Sequence, residues 1–202
     1  MQPGFQNVLA VLSLAFSHAL AQADLERSLV TQPLNEAKQT VLRGNTHPLA
    51  RTEFDRGPAP SSLPMERMVL VLRRSPEQES ALRKLLDEQL DQTSPNFHRW
   101  LTPDEFGQKF GPSSEDIRSV TSWLESHGFQ VAGASKGRTV IEFSGSVSQV
   151  QEAFHTSIHK YLVNGDEHWA NAADSQIPTG LAPAVAGIVS LHEFQKKPLI
   201  RA

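Results

Sequence analysis

Two groups of residues have the types and spacing for chemistry, and the first is a pair of serines around a glycine. Ser144, Gly145 and Ser146 could belong to a strand-to-helix turn that presents a nucleophilic serine. The flanking glycines of that motif are absent, however. Ser146 is also well placed as a helix N-cap, with Gln149 at the third helical position. This cap and the turn before it account for both serines, so we predict no catalytic residue here.

The second group is a pair of histidines. His155 and His159 are four residues apart, which on a helix would place two metal ligands on one face. No glutamate completes an H-E-x-x-H pattern, and the helix that begins at Ser146 should end near His155. The chain also has no cysteine, which excludes disulfides and thiolate ligands. We therefore predict no metal site and no cofactor in this chain.

Length and composition indicate one domain with tails. The chain has 202 residues and a formal net charge of −3, and its lysines and arginines are scattered along the sequence. A domain that binds nucleic acid would instead concentrate basic residues on one surface. We therefore expect no nucleic-acid partner.

The N-terminus has the features of a secretory signal peptide. An apolar run over residues 8–20 is too short to span a bilayer, and small-x-small tripeptides end at Ala21 and Ala23. We predict a signal peptide over residues 1–23, cleaved after Ala21 or Ala23, and hence a secreted protein, extracellular or periplasmic, with no membrane partner. No lysine or arginine precedes the apolar run, and the alternative is a buried N-terminal helix.

The segment before the first strand lacks a regular hydrophobic period. Residues 24–64 are polar and contain five prolines, which predicts an extended, poorly packed lead-in. Residues 65–73 then form a strand that is apolar on both faces. Val69 and Val71 lie on one face, and the other carries Met68, Leu70 and Leu72. A strand that is apolar on both faces needs cover on both sides.

Helix start signals divide the middle of the chain. Ser75, Thr102 and Ser113 are each placed as an N-cap, and Gly128 is placed to end the third helix. The first helix should bury a stripe of four leucines at helical spacing: Leu82, Leu85, Leu86 and Leu90.

The remaining elements complete a βαββαβ order. Strands are predicted over 130–134 and 138–143, a helix follows Ser146, and 158–163 is interpreted as the last strand of the sheet. A small apolar helix is predicted near 183–191. This order indicates an α+β, ferredoxin-like antiparallel sheet with helices on one face and a helical insertion after the first helix. The face that carries Val69 and Val71 would then be left bare.

Four stretches of the sequence also carry a family resemblance. HRWLTPDEFGQKFGPSSEDIRSVTSWLESHGF (98–129) follows SPNF and precedes RTVIEFSGSVSQVQEAFHTSIHKY and IPTGLAPAVAGIVSL in order. Together they resemble the pro-kumamolisin activation domain, the propeptide of sedolisin-type (Ser-Glu-Asp) peptidases, over about residues 44–194.

The resemblance implies an organisation and a partner. Residues 65–195 would be the activation domain and 196–202 the start of a linker. The partner would be a cognate sedolisin-type catalytic domain, in cis or in trans. The domain would act as an intramolecular chaperone and temporary inhibitor, released by acid-triggered proteolysis. The family's Glu-x-x-x-Asp and Ser-Gly-Thr-Ser motifs are absent from this sequence, and its calcium site would belong to the catalytic domain.

The resemblance also directs attention to particular residues. The bare sheet face implies docking through Val69 and Val71, with Trp100 as a further aromatic contact. Lys197 and Arg201 are candidate processing points in the basic end of the chain. Acid release would act through histidines that charge below about pH 6. The candidate histidines for this role are His98, His127, His155, His159 and His168.

Two other functions are compatible with the predicted fold. A free-standing protease-inhibitor or binding module would have the same domain without a peptidase. A nucleic-acid-binding ferredoxin-like domain would need basic and aromatic strands, which Val69, Val71 and Ile141 do not supply.

Overall fold

The computed structural model describes residues 28–194. The predicted cleavage positions Ala21 and Ala23 and the candidate processing points Lys197 and Arg201 lie outside these residues. The strands within them are β1 (Gln39–Val41), β2 (Asp55–Pro58), β3 (Pro64–Leu72), β4 (Gln130–Ala134), β5 (Val140–Ser146), β6 (Ile158–Val163), β7 (Asp166–Asn171), β8 (Gln176–Pro178) and β9 (Val185–Ile188). The helices are α1 (Pro76–Leu90), α2 (Pro103–Phe110), α3 (Ser114–Ser126) and α4 (Val147–Phe154). None of these helices has the length and apolar character needed to cross a bilayer.

The main sheet has four antiparallel strands in the order β4-β5-β3-β9. The long strand β3 lies at its centre, between β5 and β9. Helices connect β3 to β4 and β5 to the segment that leads to β9. This arrangement is the βαββαβ pattern of an α+β, ferredoxin-like fold, as the sequence predicted.

The last strand of this sheet differs from the prediction. Strand β6, over 158–163, pairs with β2 and β7 in a separate three-stranded sheet. The fourth position is filled by β9, where a small helix was predicted. A short apolar segment gains little as an isolated helix. Beside β3 it pairs its backbone groups and buries Val185 and Ile188.

The predicted helix starts are confirmed. Ser75, Thr102, Ser113 and Ser146 each accept a hydrogen bond from the backbone N–H of the third helical residue. Three of these caps are reciprocal, because a Gln or Glu at that third position accepts from the N–H of the cap. Gly128 has a φ of 79°, the left-handed conformation expected at the end of α3.

One face of the main sheet is covered by α3 and α4. Met68, Leu70 and Leu72 point into this core together with Ile141 and Phe143. The helices add a set of buried side chains to it: Val120, Trp123 and Leu124 from α3, and Val147, Val150, Ala153 and Phe154 from α4. Phe154 contacts Trp123 edge-on, with 5.4 Å between the ring centroids.

The predicted leucine stripe of α1 is only partly buried. Leu85 is buried, whereas Leu86 and Leu90 are 50% and 73% exposed. The reason is the position of α1, which contacts mainly α2, while α3 supplies the helical cover of the sheet. A helix covered along one narrow strip leaves the outer side of its apolar stripe in water.

The lead-in is extended but not poorly packed over its described part. Leu42 is buried in the main core, β1 pairs with β8, and β2 pairs with β6. The carboxylate of Asp116, at the start of α3, accepts from the backbone N–H groups of Leu29 and Val30 at 2.8–3.0 Å. Side-chain acceptors and strand pairing therefore replace the hydrophobic period that the sequence lacks.

A second stretch of the lead-in packs against the outer edge of β9 and hydrogen-bonds to it. The side-chain oxygen of Asn45 accepts from the backbone N–H of Ile188 at 2.6 Å. The Asn45 side chain lies so close to Gly187 that a β-carbon at that position would approach it to 2.9 Å. Close approach of this kind is a common reason for glycine in a strand.

Asp174 holds this stretch in place. Its carboxylate accepts from the backbone N–H groups of Gly44, Asn45 and Thr46 and from the Thr46 hydroxyl, at 2.9–3.0 Å. Burial alone would raise the pKa of Asp174, but these hydrogen bonds outweigh it and lower the pKa.

Asp174 should therefore stabilise the fold in a pH-dependent way. A lowered pKa means that the stabilisation is present above the ordinary carboxyl value of 3.8 and is lost as the pH falls through the lowered value. We expect Asp174→Asn to lower the urea midpoint at pH 6, and to reduce the further loss between pH 4 and the acid limit. Asp87→Asn, at an exposed carboxylate of α1, is the control. Equal acid sensitivity of the two variants would contradict the assignment.

Candidate docking face

The surface of the main sheet opposite α3 and α4 is only partly covered. It is defined here as the open face and consists of Val69, Val71, Glu142 and Val189. Val69 and Val71 alternate with the core residues of β3 and are half-buried, and Val189 is 56% exposed. The sequence predicted a bare face at Val69 and Val71, and the structure places both side chains on one surface.

Two grooves cross the open face. One, of about 390 Å³, runs between Val71 and the 44–48 loop of the lead-in. The other, of about 870 Å³, is lined by Val69, Trp169 and Phe194 and by the charged residues Glu66, Arg67 and Glu142. The lead-in and the C-terminal segment therefore flank the sheet face without filling it. Concave apolar surfaces with polar rims are typical of binding sites.

The charged rim of the second groove is partly neutralised. Arg67 Nε lies 3.0 Å from a Glu142 carboxylate oxygen, and the Arg67 N–H donates to the Ser144 hydroxyl at 3.0 Å. Arg67 has a φ of 54° where β3 bulges against β5, and this turns its side chain out of the strand alternation. The ion pair is exposed, so it stabilises the fold little and is accessible to a partner.

Trp100 is 66% exposed but lies in a different part of the molecule. It follows α1, where the Gln89 side chain donates to the Arg99 carbonyl and holds the loop against the helix. Its ring faces that of His98, with 5.8 Å between the centroids. The structure thus brings Val69 and Val71 together and does not bring Trp100 to the lining of either groove.

The serine and histidine candidates have structural roles. The Ser144 hydroxyl accepts from β3, and Ser146 caps α4. His155 ends α4 in a left-handed conformation with a φ of 47°, whereas His159 lies on β6 with Nδ1 2.8 Å from the Asp55 carboxylate. The two histidines therefore do not share a helix face. Across residues 28–194, no three potential ligands among His, Asp and Glu converge.

A cluster of aromatic rings beside the open face was missed by the sequence analysis. The rings of His47, His192 and Phe194 form what is called here the histidine cluster. His47 lies 4.5 Å from both of the other ring centroids, and the His192 and Phe194 centroids are 5.9 Å apart. Burial lowers the pKa of His47. Burial and, to a smaller extent, the neighbouring His47 charge lower the pKa of His192.

No sequence signal indicates this cluster. His47 belongs to the lead-in, which has no hydrophobic period, and His192 follows a segment that was interpreted as a helix. They meet only because β9 joins the main sheet and the chain then returns along β7, where His192 bridges to Ala170.

Comparison with known proteins identifies relatives of this domain. Residues 54–194 match the family model described as the pro-kumamolisin activation domain. Xanthomonalisin from Xanthomonas sp. (strain T-22) is 29% identical over 160 residues, covering 76% of this chain and 19% of that protein. Sedolisin from Pseudomonas sp. (strain 101) is 26% identical over 118 residues, covering 58% of this chain and 20% of that protein.

A third relative comes from a fungus. Aorsin from Aspergillus oryzae is 27% identical over 79 residues, which cover 38% of this chain and 12% of that protein. The chain therefore spans about a fifth or less of the length of these relatives. The family model covers most of the chain and includes every strand of the main sheet. This chain belongs to the pro-kumamolisin activation domain family.

Proposed function

We propose that this chain is the propeptide of a sedolisin-type peptidase precursor and that its open face docks on the catalytic domain. The observation that carries the proposal is the half-open sheet surface of Val69, Val71 and Val189 in a domain of this family. A catalytic domain seated there would cover the apolar strip that the domain leaves partly exposed to water.

The proposed role is that of a folding template and temporary inhibitor. A segment that follows a docked domain is held near the substrate cleft at a high effective concentration, so it inhibits strongly while attached. Cleavage of the connection removes this advantage. We propose acid as the condition that promotes release, and docking in cis as the usual arrangement, with docking in trans accessible after cleavage.

We also propose where the precursor is located, where calcium binds and where the chain is processed. The apolar N-terminal run with Ala21 and Ala23 supports export to the extracellular space or the periplasm. Calcium is proposed to bind in the catalytic domain and not in this chain. Lys197 and Arg201 are proposed as processing points, because they are basic residues that follow the family match over 54–194 in the sequence.

Two experiments test the proposed function. The coding sequence beyond Ala202 should encode the Glu-x-x-x-Asp and Ser-Gly-Thr-Ser segments, and an immediate stop codon would favour the free-standing inhibitor module instead. The purified chain, added to the mature peptidase at pH 7, should inhibit it and form a complex on size-exclusion chromatography. The absence of both inhibition and a complex would contradict the proposal.

A further inference from the structure

The histidine cluster joins two chain segments at the rim of the open face. His47 belongs to the 44–48 loop, and His192 and Phe194 belong to the 189–194 segment. Both segments line the groove beside Val71, and the second also lines the groove beside Val69. The contact between the two segments, called here the seam, therefore sets the shape of the two grooves on the open face.

The hydrogen bonding of His47 requires a neutral ring. The backbone N–H of Leu49 donates to Nδ1 of His47 at 3.2 Å. Because an amide N–H is a donor only, Nδ1 must be the unprotonated acceptor. Protonation would turn Nδ1 into a second donor facing the Leu49 N–H, and this bond would be lost.

The environment of His192 also favours a neutral ring. Its Nδ1 is buried and has no hydrogen-bond partner among residues 28–194. A charged imidazole needs a partner for both N–H groups, so charging this ring where it lies costs free energy. The adjacent His47 ring adds repulsion once both are charged, because the ring centroids are only 4.5 Å apart.

The charged groups around the cluster do not compensate a positive ring. Asp174 is occupied by the backbone of residues 44–46, and Glu142 by Arg67. His168, on β7, contacts Phe194 and supplies no negative charge. The other carboxylates along the groove are Glu66 and Glu193, and neither lies within ion-pair distance of His47 or His192 in the described part of the chain.

Two of the five histidines that the sequence offers as triggers of release differ in this respect. His159 lies 2.8 Å from Asp55, and His127 Nε2 lies 3.5 Å from Glu36, so a positive charge on either ring gains an ion pair. Neither His47 nor His192 has such a carboxylate partner in the described part of the chain.

We propose that His47 and His192 form an acid-sensitive latch that closes the seam while both rings are neutral and opens it when both are protonated. The lowered pKa of each ring agrees with this direction. The two neutral rings stabilise the seam fully above the ordinary histidine pKa of 6.5. This stabilisation is lost as the pH falls from 6.5 through the lowered pKa values of His47 and His192. Opening would separate the 44–48 loop from residues 189–194 and reshape both grooves. The relevance of this to release depends on the proposed function, but the latch itself does not.

The test follows the isolated full-length chain by NMR between pH 7 and pH 4. The ring protons of His47 and His192 should titrate below those of exposed histidines. The backbone amides of 44–48 and 189–194 should respond with the same midpoint and lose hydrogen-exchange protection. The expected loss is about tenfold for each unit by which a ring pKa lies below its ordinary value. Titration of both rings without any response of these amides would overturn the proposal.

A double variant separates the latch from a general effect of acid. In His47→Asn the side-chain oxygen keeps an acceptor for the Leu49 N–H, and His192→Gln removes the second titrating ring. In the double variant, the amides of 44–48 and 189–194 should keep their hydrogen-exchange protection at pH 7. They should no longer lose it between pH 7 and pH 4. His155→Asn, at an exposed left-handed position, should retain this acid-induced loss. An unchanged loss in the double variant would also overturn the latch. Because no peptidase is present, failure here is distinguishable from failure to inhibit.

Discussion

Aspartate at both Val69 and Val71 is expected to weaken inhibition of the mature peptidase by about 100-fold or more. Full burial of an exposed valine side chain contributes about 1.5–3 kcal/mol, so covering two half-buried valines contributes about 1.5–3 kcal/mol together, and each 1.4 kcal/mol is tenfold in affinity. A carboxylate at these positions loses that contribution and must also be desolvated when a partner docks. The measurement is the inhibition constant of the purified domain in trans at pH 7.

The fold should tolerate these changes because both side chains are half-buried and border open grooves. Circular dichroism and urea unfolding check this for each variant. Val41→Asp is the matched control, since Val41 is 48% exposed and lines neither groove. Full inhibition by a folded Val69/Val71 variant would move the docking site away from the open face.

Asp116→Ala is expected to lower the free energy of unfolding by about 2–4 kcal/mol, the largest effect we predict for a polar side chain here. The Asp116 carboxylate accepts from Leu29 N, Val30 N and the hydroxyls of Ser28 and Ser113, all at 2.7–3.0 Å. Its removal leaves several donors without a partner and frees the start of the described lead-in. Urea unfolding measures the stability.

Glu115→Ala provides the comparison for this variant. Glu115 also lies in the first turn of α3, so it shares the interaction with the helix dipole, but it is exposed. Its loss should change stability by no more than about 0.5 kcal/mol. Amide exchange at Leu29 and Val30 should accelerate in Asp116→Ala only. Equal effects of the two variants would show that Asp116 acts through the helix and not through the lead-in.

Local signals in the sequence were sufficient for the four capped helices and for the alternation that defines the open face. Each cap depends on residues within one turn, so Thr102 and Glu105 could be interpreted without knowledge of the tertiary structure. Alternation along β3 was also local, and it identified Val69 and Val71. These features follow from short-range geometry, which a sequence records directly.

Features that depend on distant segments could not be predicted in this way. Strand β9 forms because β3 has a free edge, and nothing within 183–191 distinguishes a short edge strand from a short helix. The lead-in is ordered by carboxylates far along the chain, Asp116 and Asp174. The same dependence explains why the contact between His47 and His192 was missed.

The contact between Asn45 and Ile188 has a further consequence for this domain. An unpaired strand edge is a template on which another chain can add a strand, and such additions lead to aggregates. Here the edge of β9 is occupied by a side chain of the same polypeptide. A proteolytic cut that removed Asn45 would leave that edge accessible, so trimming from the N-terminus past this residue should promote self-association of the domain.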